Sequence, residues 1–129
     1  MRVFETKGGD YGSDKLNIVD EDNVFVGYSF DSQYCEKFGY FFTDKDPSKG
    51  VDYTNKKSID FKHEDFKFDT KYFKEFEGYY NSEANSVAFK LVNKDGNEIY
   101  LVLYNYHNGY YYHGFEMKIG DEIVKKGDL

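Results

Sequence analysis

The sequence predicts a single, mainly β domain of the α+β class, in which an antiparallel sheet carries a C-terminal three-stranded meander and one or two short helices. Two turn signals support this prediction: Asp95-Gly96 and Asn108-Gly109 are pairs that tolerate positive φ at both centres of a type I′ hairpin turn. The 13 Phe and 14 Tyr residues, with no Trp, add side chains that favour strands. At 129 residues and 40% hydrophobic content, residues 1–129 suit one core and hence one domain.

The two turns also predict which residues face each other across the meander. With two-residue loops, Lys94 faces Asn97, so that Leu91 pairs with Tyr100 and Phe89 with Val102. The second hairpin continues on the same face, with Tyr104 opposite His113 and Val102 opposite Phe115. The predicted core face of the meander comprises Tyr100, Val102, Tyr104, Phe115 and Met117.

The strand shared by the two hairpins, residues 98–106, is apolar on both of its faces. Ile99, Leu101 and Leu103 alternate with the predicted core residues and form the second face. A strand of this kind is typical of a sheet that is covered on both sides. We therefore expect a second sheet, or the N-terminal half of the chain, to pack over it.

The N-terminal region predicts a short strand and then a hairpin. The strand lies at Val3 and Phe4, and the hairpin joins residues 15–19 to residues 24–30 through the acidic turn 20–23. That turn lacks the alternating ligands of a calcium-binding loop, which argues against a specific ion site.

The middle of the chain is less regular. Residues 31–42 are compatible with a helical turn or a strand, and residues 43–60, with the only Pro, predict a long loop. Residues 70–80 favour a short helix capped by Asp69 or Thr70, with a β-hairpin as the alternative. A last small hairpin is expected around Gly120, ending at Ile123 and Val124.

Charge and cysteine content restrict the partners that the chain can have. The net charge of −7 disfavours direct binding to nucleic acid or to an anionic membrane and favours a protein with a basic surface. A single Cys excludes an intrachain disulfide, and the absence of an N-terminal apolar run predicts a cytoplasmic protein. No cofactor is expected, because phosphate-binding loops and paired-Cys motifs are missing.

The residues able to carry acid-base or nucleophilic chemistry are predicted not to converge. The expected register puts His107 and His113 on opposite faces of the sheet, so they form no zinc pair. His113 is expected to be a hydrogen-bonded core residue, and Cys35 a buried apolar one. We therefore predict no catalytic or metal-binding residues and no enzymatic activity.

The one predicted binding surface is the tip of the second hairpin. Asn105, His107, Tyr110 and Tyr112 lie there on the more polar face, and Tyr is enriched where proteins meet. We expect these four residues to contact a protein partner.

Two stretches resemble a loosely defined group of small phage and prophage proteins: DSQYCEKFG at residues 31–39 and NYHNGYYYHGFE at residues 105–116. Members of that group have a Cys-Glu segment, commonly with a pair of Cys, and a C-terminal NGYY hairpin. The resemblance implies an origin in a mobile element and no enzymatic activity. The expected function is a non-enzymatic protein that binds and inhibits a host protein in the host cytoplasm, such as an anti-CRISPR-like, anti-defence inhibitor. A sponge for nucleotide signals and an immunity protein against a basic toxin are the alternatives.

Overall fold

The computed structural model describes residues 1–8, 14–30, 37–49, 57–76, 85–106 and 113–129. Within these ranges the chain forms nine strands, which are β1 (Arg2–Thr6), β2 (Lys15–Val19), β3 (Val24–Ser29), β4 (Lys37–Thr43), β5 (Phe66–Phe76), β6 (Asn85–Asn93), β7 (Glu98–Tyr106), β8 (Gly114–Ile119) and β9 (Glu122–Asp128). They build a five-stranded sheet in the order β1-β2-β3-β8-β9 and a four-stranded sheet in the order β4-β7-β6-β5, and every pairing is antiparallel. The mainly β prediction is confirmed.

The core lies between the two sheets, which pack face to face. Successive side chains along a strand point to opposite faces of its sheet, so every second residue of each sheet faces the other sheet and is buried. The Tyr28 hydroxyl on β3 donates a hydrogen bond to the Tyr104 carbonyl on β7 at 2.9 Å and links the layers directly. Fully buried side chains from both sheets include Leu16, Ile18, Val26, Phe89, Leu91, Leu101, Leu103 and Met117.

The predicted three-stranded meander does not form, because β7 and β8 belong to different sheets. β7 pairs with β4 and β6, whereas β8 pairs with β3 and β9. The difference follows from their side chains: β8 alternates buried Phe115 and Met117 with the partly exposed Glu116 and Lys118. Such a strand suits a sheet with one solvated face, whereas β7, buried on both faces, needs cover on both.

The register of the β6-β7 hairpin is one residue away from the prediction, because its loop has three residues. The Asn93 amide donates to the Asn97 carbonyl at 3.2 Å, the Gly96 amide donates to the Asn93 carbonyl at 3.1 Å, and Gly96 has a φ of 83°. This is the geometry of a type I turn followed by a left-handed residue.

The shifted register exchanges the two faces of β7. Leu91 pairs with Ile99 and Phe89 with Leu101, so Ile99, Leu101 and Leu103 face the core. Val102 lies on the outer face of the four-stranded sheet, in a cluster with Phe41 and Ala88 against which Tyr104 packs. The predicted core positions of Phe115 and Met117 are correct.

Replacing Gly96 with alanine is expected to lower the free energy of unfolding by about 1 kcal/mol, since an L side chain is disfavoured at this φ. Asp95→Ala is the matched control. In the predicted type I′ turn it would be penalised as well, but in this three-residue loop Asp95 has a negative φ and we expect a change within about 0.5 kcal/mol. Urea denaturation of both variants measures the difference, and equal losses would contradict the three-residue loop.

The short helix favoured for residues 70–80 does not form in its described part, and of the two alternatives for residues 31–42 the described part is a strand. Residues 70–76 belong to β5, where Phe73 pairs with Phe89 after a register shift that begins at Asp69. Residues 37–42 belong to β4. Facing a flat core layer requires side chains at a period of two, which overrides the helical spacing of these aromatic residues. Residues 31–36 and 77–80 lie outside the described ranges.

The helical content of the described ranges consists of two short 3₁₀ helices, Pro47–Lys49 and His63–Asp65. Neither is long or apolar enough to cross a membrane. The predicted hairpin β2-β3 is confirmed. The last hairpin, β8-β9, forms with Gly120 at a φ of 60°, but its second strand continues past Val124 to Asp128.

Candidate functional site

Asn105 is placed by the structure away from any exposed surface. It is 0% exposed at the end of β7, and its Nδ2 donates a hydrogen bond to the Leu129 carbonyl at 3.1 Å. The backbone of Leu129 pairs in turn with that of His113. This corrects the expectation that Asn105 is presented to a partner: β7 is a central strand, and Leu129 covers its end. His107, Tyr110 and Tyr112 lie outside the described residues, so their role stays a prediction.

The histidines that the structure describes are packing residues. His113 is buried, its Nδ1 lies 3.1 Å from the Ser29 carbonyl, and its ring stacks on Phe38 at a centroid distance of 3.9 Å. The prediction of a hydrogen-bonded core histidine is confirmed. His63 packs against Phe61 at 4.4 Å. Among the described residues, no three His, Cys, Asp or Glu side chains are grouped so as to hold a metal ion, and Cys35 is outside the described ranges.

Asp20, the first carboxylate of the acidic turn between β2 and β3, has a structural role. Asp20 is buried, and its Oδ1 accepts hydrogen bonds from the amides of Asp22 and Val24, each at 2.9 Å. Its Oδ2 accepts from the Phe68 amide of β5, in the opposite sheet, also at 2.9 Å. Charge-assisted bonds of this kind are strong, and here they fasten one sheet to the other.

The outer face of the four-stranded sheet is filled by the chain's own side chains. The Lys90 ammonium lies 2.9 Å from the Glu98 carboxylate, which accepts a 3.1 Å hydrogen bond from the Tyr100 hydroxyl. Burial raises the pKa of Tyr72 to about 12, and the Asp46 carboxylate adds to this effect. Burial and the bond to Glu98 likewise raise the pKa of Tyr100 to about 12. Both phenols are neutral at physiological pH and serve packing on this face.

The outer face of the five-stranded sheet carries an open depression of about 480 Å³, which we call the outer trough. It crosses β2, β3, β8 and β9, because Leu16, Tyr28 and Phe115 point into the core and their neighbours along the strands point outward. Gly27 and Gly114 occupy two of those outward positions; the ring of Phe25 covers Gly27, and Gly114 adds no side chain to the floor. The polar and glycine residues that surround the trough are Lys15, Gly27, Ser29, Gly114, Glu116, Lys126, Gly127 and Asp128.

Charges of both signs border the outer trough. The Lys15 ammonium lies 3.8 Å from the Glu116 carboxylate, which is also 3.7 Å from the Lys118 ammonium. Lys126 and Asp128 stand exposed on β9, on the other side of the glycine floor. Neighbouring strands thus bring the ammonium groups of Lys15 and Lys126 and the carboxylates of Glu116 and Asp128 to the border of the depression. This arrangement suits a ligand that has both apolar surface and charged groups.

A second depression, of about 460 Å³, lies beside the 3₁₀ helix His63–Asp65. Four carboxylates border it, those of Asp44, Asp60, Asp65 and Glu98, together with Lys62. It adds to the negative field of the molecule. The outer trough is the better candidate site, because four strands bring charged groups of both signs to its border.

The sequence prediction did not include the trough residues, although one signal for them was present. Glycine within a strand often marks a place where another group approaches the backbone closely. Gly27, Gly114 and Gly127 occupy such positions, next to charged residues. Their convergence depends on β8 pairing with β3, a contact between distant parts of the chain.

Known proteins offer no relative from which to transfer a role. The chain matches no protein-family model, and searches of curated proteins and of solved structures found no match. The function of the outer trough therefore rests on its own chemistry.

Proposed function

We propose that this chain is a non-enzymatic binding protein that docks on a basic protein partner through the outer trough and blocks it. The observation that supports this is the trough itself, an open depression bordered by charged groups of both signs. Complementary charges select a partner and its orientation. The net charge of −7 favours a basic partner and disfavours nucleic acid.

The narrower form of the proposal is a phage or prophage protein that inhibits a host protein in the host cytoplasm, with anti-defence activity of the anti-CRISPR kind. Its support is the resemblance carried by residues 31–39 and 105–116. Gly114 and Glu116 of the trough fall within the second stretch. Tyr110 and Tyr112, two of the predicted contact residues, lie in the same stretch, a few residues before Gly114.

Reversing one trough carboxylate is expected to weaken partner binding at least tenfold. Asp128→Lys puts a cation where we propose that a basic group of the partner docks, and like charges at an interface oppose association. Asp95→Lys, in the exposed β6-β7 turn, makes the same change in net charge outside the trough. The measurement is capture of partners from a lysate of the natural host by each immobilised variant. Equal capture by the two variants, at equal thermal stability, would remove the trough from the interface.

A sponge for nucleotide signals is the second candidate, and a specific observation favours it. Lys15 and Lys126 border a depression of about 480 Å³, and small-molecule sites typically measure about 300 to 1,000 Å³. The carboxylates of Glu116 and Asp128 oppose phosphate binding there. A rise in melting temperature on addition of a cyclic dinucleotide would favour this candidate. An immunity role would instead appear as a secreted basic toxin among the captured partners.

A further inference from the structure

We propose that the floor of the outer trough at Gly114 receives an aromatic side chain of the partner, specifically a tyrosine. The inference rests on the proposed function and identifies the chemistry that the trough recognises. The surroundings of the other glycines within strands show what such a position accommodates.

Three strand glycines are each covered by one of the chain's own aromatic rings. A Cβ added at Gly27 would lie 2.8 Å from ring atoms of Phe25, and one added at Gly127 would lie 3.0 Å from the ring of Phe115. At Gly39 it would lie 2.9 Å from the hydroxyl oxygen and 3.2 Å from Cζ of Tyr104. These rings rest on the bare backbone where a side chain would otherwise stand. Glycine in these strands therefore creates a seat for an aromatic ring.

Gly114 is the exception among the strand glycines that the structure describes. A Cβ added there would meet the Asp128 Oδ1 at 3.3 Å and the Gly127 carbonyl oxygen at 3.8 Å, with no described ring atom within 4 Å. Gly114 also lines the outer trough. Within the described ranges, Gly114 thus offers the same kind of seat with the Asp128 carboxylate, and no aromatic ring, beside it.

The groups around Gly114 suit a phenol better than a purely apolar ring. Asp128 is exposed beside the seat, and its carboxylate can accept a hydrogen bond from a phenolic hydroxyl. Lys15 and Lys126 border the same space, and an ammonium group near a ring face or edge contributes a cation–π attraction. The backbone at Gly114 would bury the ring, and the Asp128 carboxylate would accept the hydrogen bond of the phenolic hydroxyl, as at protein interfaces rich in tyrosine.

Titration of the ¹⁵N-labelled full chain with N-acetyl-L-tyrosinamide tests the seat without a known partner. We expect saturable shifts of the Gly27, Gly114 and Gly127 amides at millimolar ligand, because a bound ring shields nearby protons. N-acetyl-L-leucinamide should leave these amides unchanged, and N-acetyl-L-phenylalaninamide should bind more weakly. Gly114→Val should abolish the response, since its side chain occupies the seat and displaces only the flexible Asp128 carboxylate. Thr70→Val, on β5 of the other sheet, should respond as the wild type does.

Each other outcome overturns the inference. It fails if the wild type shows no saturable shift, or the same shift with the leucine amide. It also fails if only the Tyr110→Ala/Tyr112→Ala variant responds, because a tyrosine of this chain would then hold the seat. The two proposals can fail independently. If Asp128→Lys loses partner capture but the wild type does not bind the tyrosinamide, the docking surface stands and the tyrosine seat is wrong. If the wild type binds the tyrosinamide but captures no partner, the seat stands and the proposed docking function is wrong.

Discussion

Phe115→Ala is expected to lower the free energy of unfolding by about 3 to 5 kcal/mol, the range for a buried Phe that leaves a cavity. Phe115 is 6% exposed, and its ring projects from β8 into the layer between the sheets. Ring centroids of Phe73 and Phe89, both in the opposite sheet, lie 5.9 and 6.4 Å away. Truncation removes contacts to both sheets at once, and the surrounding strands cannot close the gap without moving apart from their partners.

Phe4→Ala is the control for Phe115→Ala. Phe4 lies on β1 of the same sheet and is 39% exposed, so its truncation should cost about 1 kcal/mol or less. Urea denaturation followed by circular dichroism gives both values. Similar losses in the two variants would mean that Phe115 does not occupy the core between the sheets.

Asp20→Ala is expected to lower the free energy of unfolding by about 3 kcal/mol, because buried donors left without an acceptor cost about 1 to 3 kcal/mol each. The substitution removes the acceptor of the Val24 and Phe68 amides, and both of those hydrogen bonds are buried. The third amide, that of Asp22, is only partly buried and can turn to water. Since Phe68 belongs to the opposite sheet, the loss also removes a link between the sheets.

Two variants isolate the role of the Asp20 carboxylate. Asp22→Ala removes the same charge from the same turn, but within the described ranges the Asp22 side chain forms an exposed 3.4 Å ion pair with Lys67, which is worth about 0 to 1 kcal/mol. Asp20→Asn keeps the shape of the side chain but turns one acceptor into a donor, and its effect should be intermediate. Thermal and urea denaturation rank the three, and a loss for Asp22→Ala as large as that for Asp20→Ala would show that charge alone matters.

Local structure was predictable where turn residues and alternation agree. The hairpin β2-β3 could be placed because its strands alternate around a polar turn, and β8-β9 because Gly120 interrupts the alternation. The choice of sheet for each strand was not predictable from local patterns. The apolar faces of β7 predicted cover on both sides, but not that β4 would be its second neighbour.

The register error has a specific cause in the side chain that precedes the turn. Asn93 Oδ1 accepts hydrogen bonds from the amides of Asp95 and Asn97 at 3.1 and 2.9 Å, which stabilises a three-residue loop. Asp20 does the same for Asp22 and Val24, with Asn23 at a φ of 63°. An Asp-Gly pair fits both a two-residue and a three-residue hairpin loop. The Asn or Asp residue that precedes the turn is what distinguishes the two loop types.

The predicted hairpin tip and the outer trough differ in physical origin, although the β8 part of the trough lies close to the tip in sequence. The prediction chose the tip of a hairpin because exposed tyrosines are common at interfaces. The outer trough arises from the missing side chain at Gly114 and from charges brought together by the pairing of β8 with β3 and β9. Such a surface can be identified only after the order of the strands is known.

The most direct test of the outer trough as the docking surface is the affinity of the purified partner for Asp128→Lys relative to Asp95→Lys. Isothermal titration calorimetry on folded samples of equal melting temperature gives both dissociation constants. We expect the Asp128→Lys complex to be at least tenfold weaker, a difference of about 1.4 kcal/mol or more in binding free energy. Equal dissociation constants for the two variants would contradict the account.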